Sequence, residues 1–295
     1  MLPYGRQSIS EDDIQAVVDV LRGDWLTTGP AVAAFEARLG EVAGGHRAIT
    51  ATSGTAALHM AYGAAGVTRG DTVISTPMTF IATTAMASVL GANIVFADVE
   101  EDTALIDPDA VDALVDERTK VIAAVDYAGH PADYDRLSAA AARVDALVLD
   151  DAAHSIGSTY KGRPVGDLAD LTTFSFFPTK NLTTGEGGAL VAKDPLIAQR
   201  AHEFHFIGLV RDADRFAVTT EGAWHQEVHE FGFNYRLDDI ACALGLSQLA
   251  RLDTFRRRRA EITRRYDAAL AGIDGVRTVS YTHLRAHGTS LHLVC

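Results

Sequence analysis

A lone lysine, Lys180, follows the apolar run Leu171 to Phe177 and Pro178, and it precedes a cluster of glycines at 185, 187 and 188. An amine in that company is partly desolvated, which lowers a lysine's pKa and makes it a nucleophile toward carbonyl carbon. A surface lysine on a hairpin loop has the same local sequence, so other residues must decide between the two. Ser53-Gly54-Thr55-Ala56 lies between an apolar run and an alanine-rich stretch. A helix starting there offers a phosphate its backbone N–H groups, the positive end of its dipole and nearby hydroxyls, although a plain N-cap uses the same residues. Asp150-Asp151-Ala152-Ala153-His154 follows a further apolar run. A carboxylate in that position can form a turn, bind a metal or face a cationic ring. Taken together, a phosphate cradle, an acid at a strand end and a loop lysine are the parts that hold pyridoxal phosphate. The lysine bonds the aldehyde, the acid keeps the pyridine nitrogen protonated, and the cradle anchors the phosphate.

These residues need a frame that brings distant segments to one edge. Short β-branched or apolar runs at Ala48 to Ala51, Thr72 to Ser75, Asn93 to Val99, Val121 to Asp126 and Ala146 to Asp150 read as strands, as do Leu171 to Phe177 and Ala189 to Ala192. Helical stretches alternate with them: 54 to 65 and around 80 to 90, 108 to 117 and 135 to 143. Upstream, Ser8 or Ser10 caps a helix with Ile14, Val17, Val18 and Leu21 on one face and Gly23 at its end, and Pro30 opens a second helix through Phe35 and Leu39. Strands of this length alternating with helices predict an α/β domain with a mostly parallel central sheet covered on both faces. Ligands of such sheets collect beyond the C-terminal ends of the strands, where Ser53, Asp151 and Lys180 all lie.

With 295 residues, 47% of them hydrophobic, the chain has enough apolar material for a large domain and part of a second. A formal charge of -13 excludes a general nucleic-acid or membrane-surface binder, whose affinity rests on basic patches. Two cysteines, Cys242 and Cys295, make no disulfide framework and no C-x-x-C pair, so no metal site is expected and a reducing cytoplasm fits. No stretch reaches the roughly 18 apolar residues of a membrane span. The run Arg256 to Arg259, interrupted by Glu261 on a helix with Ile262, Tyr266 and Leu270, reads as a solvated face. The glycines near 185 lack the pattern of a nucleotide-hydrolysing phosphate loop.

Four motifs in order, Ser53-Gly-Thr-Ala-Ala-Leu58, Asp151-Ala-Ala-His154, Ser175-Phe-Phe-Pro-Thr-Lys180 and Gly232-Phe-Asn-Tyr-Arg-Leu-Asp238, resemble the nucleotide-sugar aminotransferases of the DegT/DnrJ/EryC1/StrS family. The likeness runs from about Leu2 to Val279. It implies the fold type I architecture of pyridoxal-phosphate-dependent aminotransferases. It also implies catalytic roles for Lys180, the Schiff-base lysine and proton carrier, and for Asp151, the partner of the pyridinium nitrogen. Thr55, Ala56 (through its backbone N–H) and Ser175 match the phosphate contacts, and His154 matches the residue near the phenolic oxygen. Phe80, in Pro77-Met-Thr-Phe80, matches the aromatic that stacks on the ring, although a core aromatic at a helix start looks alike. Asn234 matches a residue that reaches the phosphate of the neighbouring subunit, which implies a homodimer.

Within the family, Pro3 to Ser10, Trp25 to Pro30 and Phe231 to Leu237 are most similar to the members of the pseudaminic-acid pathway. Those members aminate C4 of a UDP-linked 4-keto-6-deoxy-N-acetylhexosamine with L-glutamate as donor. One departure is Ile207-Gly208 before Arg211-Asp212, where a His-Gly pair is expected. Alternatives are a transaminase for another nucleotide keto-sugar and a non-catalytic relative or fragment that binds the cofactor; a sugar dehydratase of the family would carry histidine in place of Lys180. The expected domains are 1–250, the large cofactor-binding domain, and 251–279, the start of a smaller C-terminal domain. From 280 to 295 the chain packs three of its 11 histidines and keeps no period of two or 3.6, so a non-native tail after a truncated gene is expected there.

Overall fold

The computed structural model describes residues 5–218 and 222–274. The expectations for 275–279 and for the tail from 280 lie outside these residues.

Two helices precede the sheet, α1 (Glu11–Arg22) and α2 (Pro30–Val42). Ser10, rather than Ser8, caps α1: its hydroxyl accepts from the Asp13 N–H at 3.4 Å, while the Asp13 carboxylate accepts from the Ser10 N–H at 2.8 Å. Asp13 is fully buried and also accepts from Ser247 (2.6 Å) and Gln248 (2.8 Å) and pairs with Arg251, so one carboxylate fastens α1 to the C-terminal helices. There follow β1 (Arg47–Ala51), α3 (Gly54–Ala64), β2 (Thr72–Ser75), α4 (Ala82–Val89), β3 (Asn93–Phe96), α5 (Pro108–Leu114), β4 (Thr119–Val125), α6 (Tyr134–Ala142) and β5 (Leu147–Asp151). A small hairpin, β6 (Thr159–Tyr160) and β7 (Arg163–Pro164), leads to β8 (Leu171–Ser175), β9 (Gly188–Ala192) and α7 (Pro195–His205). A second hairpin, β10 (Leu209–Val210) and β11 (Glu227–Val228), precedes α8 (Asp239–Ala250) and α9 (Leu252–Leu270). The sequence reading assigned no element to α7 or α8.

The central sheet has seven strands in the order β1-β9-β8-β5-β4-β2-β3. β8, β5, β4, β2 and β3 run parallel, as expected for strands joined through helices. The departure is β9, which opposes both β1 and β8. The segment between β8 and β9 contains no helix to carry the chain back across the sheet, so β9 returns as a hairpin partner. Edge strand β3 keeps its ends, Asn93 and Phe96, exposed and is not covered on both faces.

One apolar cluster packs α2, α5, α6 and α8 on one face through Phe35, Leu39, Val111, Tyr134 and Leu137. The other packs α3, α4 and α7 on the opposite face through Met60, Tyr62, Ala87 and Ala201. Side chains alternate between faces along a strand. On β5, Val148 joins the first cluster and Leu149 the second, so Asp150 points toward α6 and Asp151 toward α4. Among the described residues no helix is long and apolar enough to cross a membrane.

Candidate active site

The C-terminal ends of β1, β5 and β8 lie near one another because those strands sit within one stretch of the sheet. From β1 the chain passes through Thr52 and Ser53 into α3. Ser53 is the N-cap, and its hydroxyl accepts from the Ala56 N–H at 3.1 Å. That satisfies the donor the sequence reading offered to a phosphate at Ala56. The N–H groups of Gly54 and Thr55, which a helix leaves outside its own ladder, are the donors at this end. The helix start is pressed against the two strands of the β8–β9 hairpin. A Cβ on Gly54 would stand 2.9 Å from Ser175 Cβ, and one on Gly188 would stand 2.5 Å from the Ser53 carbonyl oxygen. Only glycines permit this approach, which sets the Ser175 hydroxyl beside the first turn of α3.

At the end of β5, Asp151 is 6% exposed. Its Oδ2 accepts a 2.6 Å hydrogen bond from the Thr83 hydroxyl, and its Oδ1 accepts from the Ala153 N–H at 3.3 Å. Burial raises its pKa, against which the Thr83 and Ala153 donors and the charge of Lys180 act. Lys180, beyond β8, is half-buried, and its Nζ lies 2.8 Å from His154 Nε2. Desolvation lowers the lysine pKa, and the attraction of Asp151 offsets that in part. The structure thus brings Lys180, His154 and Asp151 into one electrostatic group at the open end of the sheet. This amine is not a freely solvated surface lysine.

Phe80 precedes α4 and is 73% exposed, so it is no core aromatic. Its carbonyl accepts from the N–H of Thr83, which ties it one turn away from the residue that holds Asp151. Asn234 is exposed and bridged to Phe206, while the carbonyl of the next residue, Tyr235, accepts from the Thr52 N–H at 2.9 Å.

Sequence reasoning missed Thr83, Asn181 and Arg259. Nothing around Thr83 distinguishes it from other helix-start threonines. Arg259 had a signal: consecutive residues on a helix are about 100° apart, so four arginines in a row cannot all face solvent. The solvated-face reading holds for exposed Arg257 and for Arg258, paired with exposed Glu261, whereas Arg256, paired with Asp253, is half-buried. It fails for Arg259, which is turned inward onto Lys180 and Asn181.

The model of the DegT/DnrJ/EryC1/StrS aminotransferase family matches residues 7–295. The spore coat polysaccharide biosynthesis protein SpsC of Bacillus subtilis is 40% identical over 278 residues, covering 94% of this chain and 71% of that protein. Among solved structures, the PMP form of the sugar aminotransferase Spr1654 from Streptococcus pneumoniae superposes with a TM-score of 0.89 at 32% identity, covering 97% of this chain and 77% of that one. PseC from Helicobacter pylori, an aminotransferase involved in the biosynthesis of pseudoaminic acid, gives 0.85 at 31% identity, with 92% and 71% covered.

Proposed function

Since the chain belongs to the DegT/DnrJ/EryC1/StrS aminotransferase family, we propose that it aminates C4 of a UDP-linked 4-keto-6-deoxy-N-acetylhexosamine with L-glutamate as donor, in nucleotide-sugar biosynthesis of the pseudaminic-acid type. It is a pyridoxal-phosphate-dependent sugar aminotransferase, as its neighbours in PLP and PMP forms are. The 2.8 Å contact between Lys180 Nζ and His154, with the buried Asp151 acting on the same amine, is the observation that carries the assignment of the reacting residues.

The residues fit the cofactor. The glycine-tight junction of Gly54, Ser175 and Gly188 is a cradle that a Cβ would fill, and it lies at a helix N-terminus that favours an anion. The Gly54 and Thr55 N–H groups, the Thr55 hydroxyl and Ser175 would hold its phosphate, with Ala56 oriented by the cap. Asp151 would pair with its ring nitrogen. A carboxylate that is costly to ionise when dry gains much from a cation placed against it, so the pair holds the ring protonated. Phe80 would cover a ring face, and His154 would orient the amine of Lys180 near the phenolic oxygen. When bound, the cofactor supplies an electron sink for the carbon that loses its proton.

Lys180, once its amine is free, takes up the proton released from the α-carbon of glutamate. In the second half-reaction it returns one to C4 of the sugar. Its lowered pKa serves the first task by leaving more of the amine unprotonated near neutral pH. Asn234, exposed beside the Phe206 bridge, would contact the cofactor phosphate of the second subunit of a homodimer, and each site would then be shared. The substrate branch rests on the likeness of the loops at 25–30 and 231–237, together with the similarity to PseC. A panel of UDP- and dTDP-linked 4-keto and 3-keto sugars with glutamate, read by mass spectrometry, tests it. The UDP-linked 4-keto N-acetyl sugar should give the largest amino-sugar signal, and preferential turnover of a dTDP or 3-keto substrate would move the enzyme to another branch.

A further inference from the structure

Arg259 is the residue of α9 that meets the reacting lysine from behind. Its Nη2 donates to the Lys180 carbonyl at 3.1 Å, and its Nη1 donates to the Asn181 side-chain oxygen at 2.9 Å and to the Asn181 carbonyl at 3.3 Å. Those acceptors are all neutral, and burial lowers the arginine's pKa. A guanidinium taken out of water with no carboxylate partner among the described residues is costly, which its planar fork offsets by joining two backbone carbonyls and a side-chain amide at once.

What it holds is a closed circuit. Asn181, 9% exposed, turns its side-chain oxygen to Arg259 and donates its Nδ2 to the His154 carbonyl at 2.8 Å and the Ile156 carbonyl at 3.3 Å. His154 in turn meets Lys180 Nζ through its ring. Starting at the Lys180 backbone, the path runs through Arg259, Asn181 and His154 and returns to the Lys180 amine. Removing Arg259 takes a donor from the Lys180 carbonyl and from the Asn181 side-chain oxygen, and removing Asn181 takes a donor from the His154 carbonyl, so either change loosens one side of the lysine's support.

We propose that Arg259 and Asn181 are positioning residues for Lys180, and that through Arg259 the helix α9 sets the direction and desolvation of the reacting amine. This rests on the reading of Lys180 as the cofactor-carrying residue. Arg259 bonds the backbone on which the amine is mounted, and a misplacement on the order of 1 Å can cost about 100-fold in rate. A simple fastening of α9 to the domain would lower thermal stability without altering the amine.

The test compares wild type, Arg259→Ala, Arg259→Lys, Asn181→Ala and, as a surface control on α9, Arg258→Ala. In the cofactor-free proteins, the rate of Lys180 modification by trinitrobenzenesulfonate is followed against pH by peptide mass spectrometry, which gives an apparent pKa of that amine. Arg259→Ala and Asn181→Ala should raise it toward the ordinary 10.5, and Arg259→Lys, which lacks the fork, should restore it only in part. Because both residues act in one circuit, the double variant should shift it no further than the larger single change. In the loaded enzymes kcat should fall roughly 10- to 100-fold with KM for glutamate nearly unchanged, while Arg258→Ala matches wild type. An unaltered Lys180 titration in both alanine variants, with only a lower melting temperature, overturns the proposal; if Arg259→Ala does not fold, Asn181→Ala and Arg259→Lys decide by the same criterion. Borohydride reduction of wild-type enzyme with pyridoxal phosphate separately tests the underlying reading: the label should fall on Lys180, and a label on another lysine removes that reading whatever Arg259 does.

Discussion

The hydroxyl of Thr83, on α4, donates a 2.6 Å hydrogen bond to Oδ2 of Asp151, at the end of β5. An ionised carboxylate only accepts, so the single proton of Thr83 is committed to it, and Thr79, 2.7 Å from the Thr83 oxygen, is the donor to Thr83. The chain of hydroxyls favours the charged form of an acid that burial pushes toward neutrality.

Thr83→Val keeps the shape of the side chain and deletes that donor. A hydrogen bond to a charged group is worth about 1.5–3 kcal/mol, so turnover should fall at least about tenfold with weaker cofactor retention, and Thr83→Ser should recover most of it. Asp151→Asn should bind some cofactor yet lose most of the rate, because a neutral amide no longer favours a protonated ring. Near-wild-type kcat in either Thr83→Val or Asp151→Asn would remove the role assigned to the pair.

If Asn234 completes the site of a second subunit, two defective proteins should help each other. Lys180→Ala should be inactive alone and an Asn234→Ala variant severely impaired; after mixing and subunit exchange, one site of each heterodimer holds both good residues, and activity should return. Full activity of a protein shown by sedimentation to be monomeric would contradict the shared site.

Behind Asp151, on the other face of β5, lies a second group of buried acids. Burial pushes the Asp126 carboxyl up to about 7 from its ordinary 3.8, against the hydrogen bonds it accepts from Tyr134 and the Ala132 N–H. A folded-state pKa above the unfolded one means that the folded protein holds the proton more tightly. Its stabilisation is full below about 3.8 and is lost as pH rises through about 7. Asp126→Asn removes this titration, so the melting temperature of the variant relative to wild type should improve steadily between those two pH values. Parallel curves for the two proteins would assign the pH dependence elsewhere.

Ile207 occupies the left-handed region with φ of 66° and is 47% exposed. A β-branched residue pays about 1–2 kcal/mol there, and little apolar contact is at stake. Ile207→Asn should therefore raise stability by about 1 kcal/mol, read from urea unfolding, because the Ile207 N–H to Phe233 carbonyl bond of 3.0 Å belongs to the backbone and survives. A loss of stability would mean that the side chain packs in solution.

Much of the frame was legible because it is written in local chemistry. Ser10, Gly23 and Pro30 bound their helices where cap geometry requires, and the run Thr72 to Ser75 is a strand over those residues because its β-branched side chains suit a doubly buried position. Boundaries slipped where an apolar run outlasts its hydrogen-bonded partner: Asn93 to Val99 pairs with β2 only through Phe96, and Leu171 to Phe177 pairs only through Ser175. The lysine, the acid and the helix start could be picked out from residue type and order along the chain, since each sits beside its own strand. The motif resemblance already named Asp151 as the acid, and pleat and register supply the reason Asp150 points the other way, because one step along a strand reverses the side. The reversed direction of β9, the Thr83 bond across from α4, and the inward turn of Arg259 among four arginines were decided by packing alone. Those contacts join residues 68 and 78 positions apart or pair strands across the sheet, and no local propensity encodes which distant atom a hydroxyl or guanidinium will find once the helices close over the sheet.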